Sequence, residues 1–178
     1  MEHIKAGWQA IHLAHDLGAP RIRVFGNDIP EGSDPDVVAV QVGKALRALA
    51  PEAERHGVDV LLELHGDFND WRLTREAVRF ANHRAVGVVY NCDNRDVIQG
   101  SVATVFHEMK AWIRHVHFHD LRDTAYPYAE LFRLLAADGY SGFLSMEVSM
   151  EGDVAHNLHE QAEAFYRLKA QAETAQPA

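Results

Sequence analysis

The sequence predicts an α/β fold: a partial (β/α) barrel of about five parallel strands with outer helices. Three observations predict it. Short apolar runs alternate with amphipathic stretches of helical length, the pattern of βαβ units. Nearly every apolar run ends in polar residues able to do chemistry, as barrel strands do at their C-terminal ends. No GxGxxG or Walker turn is present to mark an open, doubly wound sheet.

The elements follow in order. Residues 2–17 read as an amphipathic helix, with Ile4, Trp8, Ile11 and Ala14 or His15 at helical spacing and Gly18 as its stop. Arg21–Phe25 is a short strand ended by Gly26-Asn27. Asp34-Pro35 starts a helix over Asp36–His56. Val58–Leu64 is almost unbroken apolar sequence, as a parallel strand covered on both faces requires. A helix over Thr74–His83, a strand over Val86–Tyr90, a helix over Arg95–Trp112 and a strand over Ile113–Phe118 come next. Tyr126–Asp138 is a helix closed by Gly139, Phe143–Val148 the fifth strand, and Val154–Ala170 the last helix. Residues 1–170 read as one domain and 171–178 as a tail with the composition of a frayed end.

Composition bounds the function. A chain of 178 residues, 47% hydrophobic and 24% charged, can bury a sizeable core. A net charge of −9 argues against capture of nucleic acid, which needs a basic surface. No apolar run approaches the ~20 residues that span a bilayer, and the polar first twenty residues do not resemble a signal peptide. A cytoplasmic location is the default expectation. The lone cysteine, Cys92, makes no internal disulfide, in keeping with a reducing compartment.

The strand ends carry the chemistry. Side chains alternate faces along a strand, so Glu63 and His65 oppose Leu62 and Leu64. His115, His117 and His119 oppose Val116 and Phe118, and Ser145, Glu147 and Ser149 oppose Met146 and Val148. The polar set then points into a barrel mouth, together with Asn91. Such a cluster is costly unless its charge is compensated. A divalent cation does so, and oxygen ligands with one imidazole suit Mn²⁺, Mg²⁺ or Co²⁺ better than Zn²⁺. Each element also has a plain reading. Glu63 alone could be a surface or capping residue, His117 alone a satisfied core histidine, and Asn91 and Asn94 turn residues. Asp67, Asp70 and Asp96 read as capping or loop residues. Cys92 has the wrong parity to join Asn91. The joint pattern across the strands is what favours a metal site.

Five segments together resemble a known family: 21–26 (RIRVFG), 61–67 (LLELHGD), 86–91 (VGVVYN), 115–120 (HVHFHD) and 139–147 (GYSGFLSME). They look like the xylose-isomerase-like TIM barrels, which include sugar phosphate isomerases and epimerases. The resemblance covers roughly residues 5–170, and its most specific part is the HxHxxD strand followed by GYxGxLSxE. It implies that Glu63, Asn91, His117 and Glu147 hold a divalent metal. It also implies that Glu63 and Glu147 act as the acid/base pair, with His65, Asn94, Asp120 and Arg122 at substrate-binding or supporting positions. Two positions depart from the family: Asn91 stands where Asp is usual and Asn94 where His is usual. A neutral amide ligates through oxygen with less charge, so metal affinity or activity is expected to fall.

The five strands match the fourth to eighth of the barrel. A complete barrel takes ~250 residues, so about 80–90 residues of the first three βα units are expected to be missing. The expected function is a metal-dependent isomerase or epimerase of a sugar or sugar phosphate, working by proton transfer through an enediolate. The alternatives are a truncated or degenerate barrel without activity, a sugar dehydratase, or a barrel like abasic-site endonucleases; the last is disfavoured by the −9 charge. A half-barrel is also expected to expose apolar residues such as Val89, and so to pair with itself or with a complementing N-terminal half-barrel.

Overall fold

The computed structural model describes residues 2–149 and 151–174. Five strands run β1 (Arg21–Phe25), β2 (Asp59–Glu63), β3 (Val86–Asn91), β4 (Ile113–Phe118) and β5 (Phe143–Met146). They lie in the order β1-β2-β3-β4-β5, and the registered pairs β1–β2, β2–β3 and β4–β5 are parallel. Sequential order is what short right-handed crossovers produce. The crossovers carry α2 (Pro35–His56), α3 (Trp71–Ala81), α4 (Ala103–Met109) and α5 (Tyr128–Ala137), while α1 (Glu2–Asp16) and α6 (Val154–Thr174) flank the set.

The chain divides into two compact units. The first runs to Asn91 and takes in Ala111–Arg114; the second comprises Cys92–Lys110 and the chain from His115 onward. In the first unit β2 is buried from Val60 to Glu63, as its nearly unbroken apolar run predicts for a strand covered on both faces, and β3 is buried along its whole length. Ile11, Leu46, Ala50 and Ala53 bring α1 and α2 into its core, each at most 2% exposed. In the second unit Val105, Phe106, Met109, Val116 and Leu131 are buried together with Ala164 and Leu168 of α6.

Several boundaries differ from the sequence expectation. The helix expected over Arg95–Trp112 is broken into a 3₁₀ turn (Asn94–Asp96), a bend and the short α4. Gln99 and Gly100 take positive φ of 53° and 83°, and Ile98 and Ser101 exchange backbone hydrogen bonds around them. A helix cannot pass through two such residues. α3 begins at Trp71 because Asp70 caps it, accepting from Arg72 N at 3.0 Å. β5 ends at Met146, although Glu147 N still donates to Phe118 O at 2.8 Å. α6 continues to Thr174, past the expected Ala170; residues 175–178 of the expected tail lie outside the described residues. Val89, expected to meet water, is 2% exposed. Its neighbours on the same strand face, Leu61, Glu63 and Asn91, are longer and are themselves buried.

Candidate functional site

In the first unit the site is built on Glu63, at the C-terminal end of β2. Register places Phe25 and Val89 on either side of it, so Arg23, Phe25, Glu63, Val89 and Asn91 project to one face. Glu63 is fully buried. A buried carboxylate demands compensation, and two donors supply part of it. Arg23 Nη1 stands 3.3 Å from each carboxylate oxygen. The carboxamide of Asn91 donates to Oε1 at 3.4 Å. Sequence reasoning missed Arg23. The signal was the alternation of Arg21-Ile22-Arg23-Val24-Phe25, which sets Arg23 on the face of Phe25, but its partner lies forty residues downstream. The Arg23 guanidinium also lies 4.7 Å from the centre of the Phe25 ring, which holds it in place.

His65 lies beyond the strand, exposed, with its ring edge-on to Phe25 at 5.1 Å. The next residues form a 3₁₀ turn, Gly66–Asn69. There Asp67 accepts from Ile29 N at 2.7 Å and so ties the loop after β1 to the loop after β2.

In the second unit the site is built on β4 and the end of β5. His117 and Ser145 are in register. His117 Nδ1 lies 3.5 Å from Glu147 Oε2, and the rings of His115 and His117 meet edge to face at 5.1 Å. His115 Nε2 pairs with Ser145 Oγ at 2.9 Å. His119 donates from Nδ1 to the Glu147 carbonyl at 2.8 Å, which fixes the backbone that carries the Glu147 carboxylate. His115 and His117 thus share one face of β4, while His119 lies past the end of the strand and meets the Glu147 backbone.

Asp120 and Arg122 form a network of their own. The guanidinium of Arg122 binds the carboxylates of Asp120 and Glu160. Gln161 of α6 donates to Asp120 through its amide and accepts from Leu121 N. Hydrogen bonds from Arg122 hold the Asp120 carboxyl well below the usual carboxylate range, and Asp120 in turn raises the Arg122 pKa. Asn94 is exposed on the 3₁₀ turn whose start Asp93 and Asp96 cap reciprocally. Cys92, set aside on parity, is buried, and burial pushes its thiol pKa far up.

No described helix is long and apolar enough to cross a membrane. The family model for xylose isomerase-like TIM barrels matches residues 2–170. No curated protein matches the chain. Among solved structures it is similar to the 3-keto-D-glucoside 4-epimerase of E. coli, with a TM-score of 0.75 at 18% identity, over 94% of this chain and 70% of that one. An AP endonuclease of family 2 from Brucella melitensis also gives a TM-score of 0.75, at 20% identity, over 91% of this chain and 68% of that one. A xylose isomerase-like TIM barrel protein from Mycobacterium smegmatis, in complex with magnesium, gives 0.73 at 14% identity, over 96% and 68%. Five parallel strands alternating with helices over this span are a partial barrel, and the chain belongs to the xylose isomerase-like TIM barrel family.

Proposed function

We propose that the chain is the metal-binding part of a sugar isomerase or epimerase that works by proton transfer at carbon. The observation that carries this reading is the donor set on consecutive strands of one sequentially ordered sheet. Glu63 ends β2, Asn91 ends β3, His117 lies near the end of β4, and Glu147 follows β5. Two carboxylates, a carboxamide oxygen and one imidazole fit a hard divalent ion such as Mn²⁺, Mg²⁺ or Co²⁺, and fit thiolate chemistry not at all. In support, a magnesium complex is among the similar folds.

Glu63, Asn91, His117 and Glu147 would hold the ion, which supplies polarisation of a substrate carbonyl when bound. One glutamate then removes the proton from the adjacent carbon to give an enediolate, and the other returns it. Arg23 sets a positive charge 3.3 Å from both oxygens of the buried Glu63. His119, through the Glu147 carbonyl, orients the second carboxylate. His65, Asn94, Asp120 and Arg122 are the substrate-side residues of this reading. The substrate of this reading is a small sugar or sugar phosphate; epimerases that act on sugars are among the similar folds. An endonuclease neighbour exists, but a charge of −9 repels a phosphate backbone. We place the protein in the cytoplasm, where a lone buried thiol is at home.

The test is deuterium exchange from solvent into ketoses and ketose phosphates, with chelator-stripped and Mn²⁺-loaded protein. Exchange should require metal and vanish in Glu147→Gln while circular dichroism stays unchanged. Metal-independent exchange, or full activity in the variant, would overturn the reading.

A further inference from the structure

We propose that His12, Glu52 and His56 form a second binding site, separate from the strand-end residues, for a divalent transition-metal ion of the zinc type on the outer face of helices α1 and α2. Glu52 and His56 are four residues apart on α2, so they share one face of that helix. His12 reaches them from α1, with Nε2 2.6 Å from Glu52 Oε1. The rings of His12 and His56 lie 4.6 Å apart between centres. His56 Nδ1 is 3.5 Å from the same Glu52 oxygen. One ligand atom from each of the three residues lies within 4.8 Å of the other two.

A tetrahedral ion with bonds of about 2.0–2.2 Å needs ligand atoms about 3.5 Å apart. Rotamer shifts of an ångström or so close that gap without moving either helix. On binding, His56 Nδ1 exchanges its hydrogen bond to the Glu52 carbonyl, 3.0 Å long, for a bond to the metal. Two imidazoles and a carboxylate are a borderline-soft donor set, unlike the oxygen-rich strand ends, and favour Zn²⁺ over Mg²⁺.

The surroundings support this. His15 donates from Nδ1 to the His56 carbonyl at 2.9 Å and sets its ring edge-on to His56 at 5.2 Å, so the acceptor end of the site is braced. Arg55 holds the other Glu52 oxygen, but its side chain is 70% exposed and can swing into water as the cation arrives. With the His12 side chain 52% exposed, solvent reaches the site and can fill the remaining coordination position. The rival reading is a metal-free pairing of two helices through the His12–Glu52 ion pair.

The experiment uses the full chain carrying His117→Ala and Glu147→Gln, which removes strand-end ligands, stripped with chelator and titrated calorimetrically with ZnCl₂. This background should bind zinc, and zinc should raise its Tm by clamping α1 to α2. Adding His12→Ala and His56→Ala should abolish both the binding and the rise in Tm, whereas adding His15→Ala instead should leave zinc bound. If the four-fold variant fails to fold, Glu52→Gln in the same background gives the same readout with the side-chain shape kept. No zinc binding by the background, or binding that survives loss of His12 and His56, or of the Glu52 carboxylate, would overturn the proposal.

Discussion

At the scale of single residues, Asp120 is the clearest case of a side chain whose charge is fixed by its neighbours. Arg122 donates to it from Nε, Nη2 and the backbone N, and Gln161 from its amide, while Glu160 takes the other end of the guanidinium. The carboxyl pKa is lowered, first by the Arg122 hydrogen bonds. A lowered folded pKa means that the unfolded chain binds more protons in acid. The stabilisation is therefore complete above the unfolded carboxyl value of about 3.9 and is lost as pH falls through the lower folded value. Asp120→Asn should lower the urea midpoint at pH 7, and the gap to the parent should close on acidification through that window. Equal midpoints at pH 7 would show that α6 is anchored by packing alone. The candidate ligands were legible at this scale because strand alternation alone sorts Glu63, His117 and Glu147 from their apolar neighbours. Arg23 was not, since its meeting with Glu63 depends on the β1–β2 register, which sets Phe25 beside Glu63.

At the scale of elements, local signals served where the cap is local. Asp34 accepts from Asp36 N and starts α2 where Asp34-Pro35 announces it, whereas Asp70, read only as a capping or loop residue, accepts from Arg72 N and starts α3 three residues before the expected Thr74. They failed at α4, where the apolar residues between Val97 and Trp112 keep a helical period. Gly100 was the warning in the sequence. The decisive partner, Glu130, comes from α5 and accepts from both Ser101 Oγ and Val102 N. A cap supplied from twenty-eight residues away leaves no pattern in the local sequence. Close packing of α2 on α3 is set by one glycine. A Cβ on Gly43 would lie 2.6 Å from the Ala77 carbonyl oxygen and 2.8 Å from Phe80 Cβ. The helix-propensity gain of Gly→Ala is about 1 kcal/mol, but overpacking against backbone costs about 1–3 kcal/mol and cannot be relieved by a rotamer change. Gly43→Ala should therefore destabilise, by up to about 2 kcal/mol net, in chemical denaturation. A neutral or stabilising result would mean that the two helices part easily.

At the scale of the whole molecule, the sheet has two ends. β1 and β5 each have one strand neighbour in the order observed among the described residues. Phe25 and Phe143, on those two strands, are 40% and 66% exposed. Exposed, apolar, unpaired edges are templates for pairing with another chain. Isolated exposed aromatics are ordinary on protein surfaces, so the argument rests on their placement at sheet edges. Leu144 of β5 shares a groove with Phe143, Phe132 and Phe165, which widens the apolar surface at that end. Net charge of −9 opposes association at low ionic strength and is screened over about 8 Å at physiological salt. Self-association should therefore strengthen with salt, the signature of an apolar interface. In light scattering after size exclusion, the chain should run as a dimer or larger at 0.15 M salt and shift toward monomer in Phe143→Lys, which places a charge on the edge as natural sheets do to prevent pairing. A parent chain that stays monomeric across concentration and salt would remove the edge-pairing argument. An unchanged dimer in Phe143→Lys would move the interface away from β5.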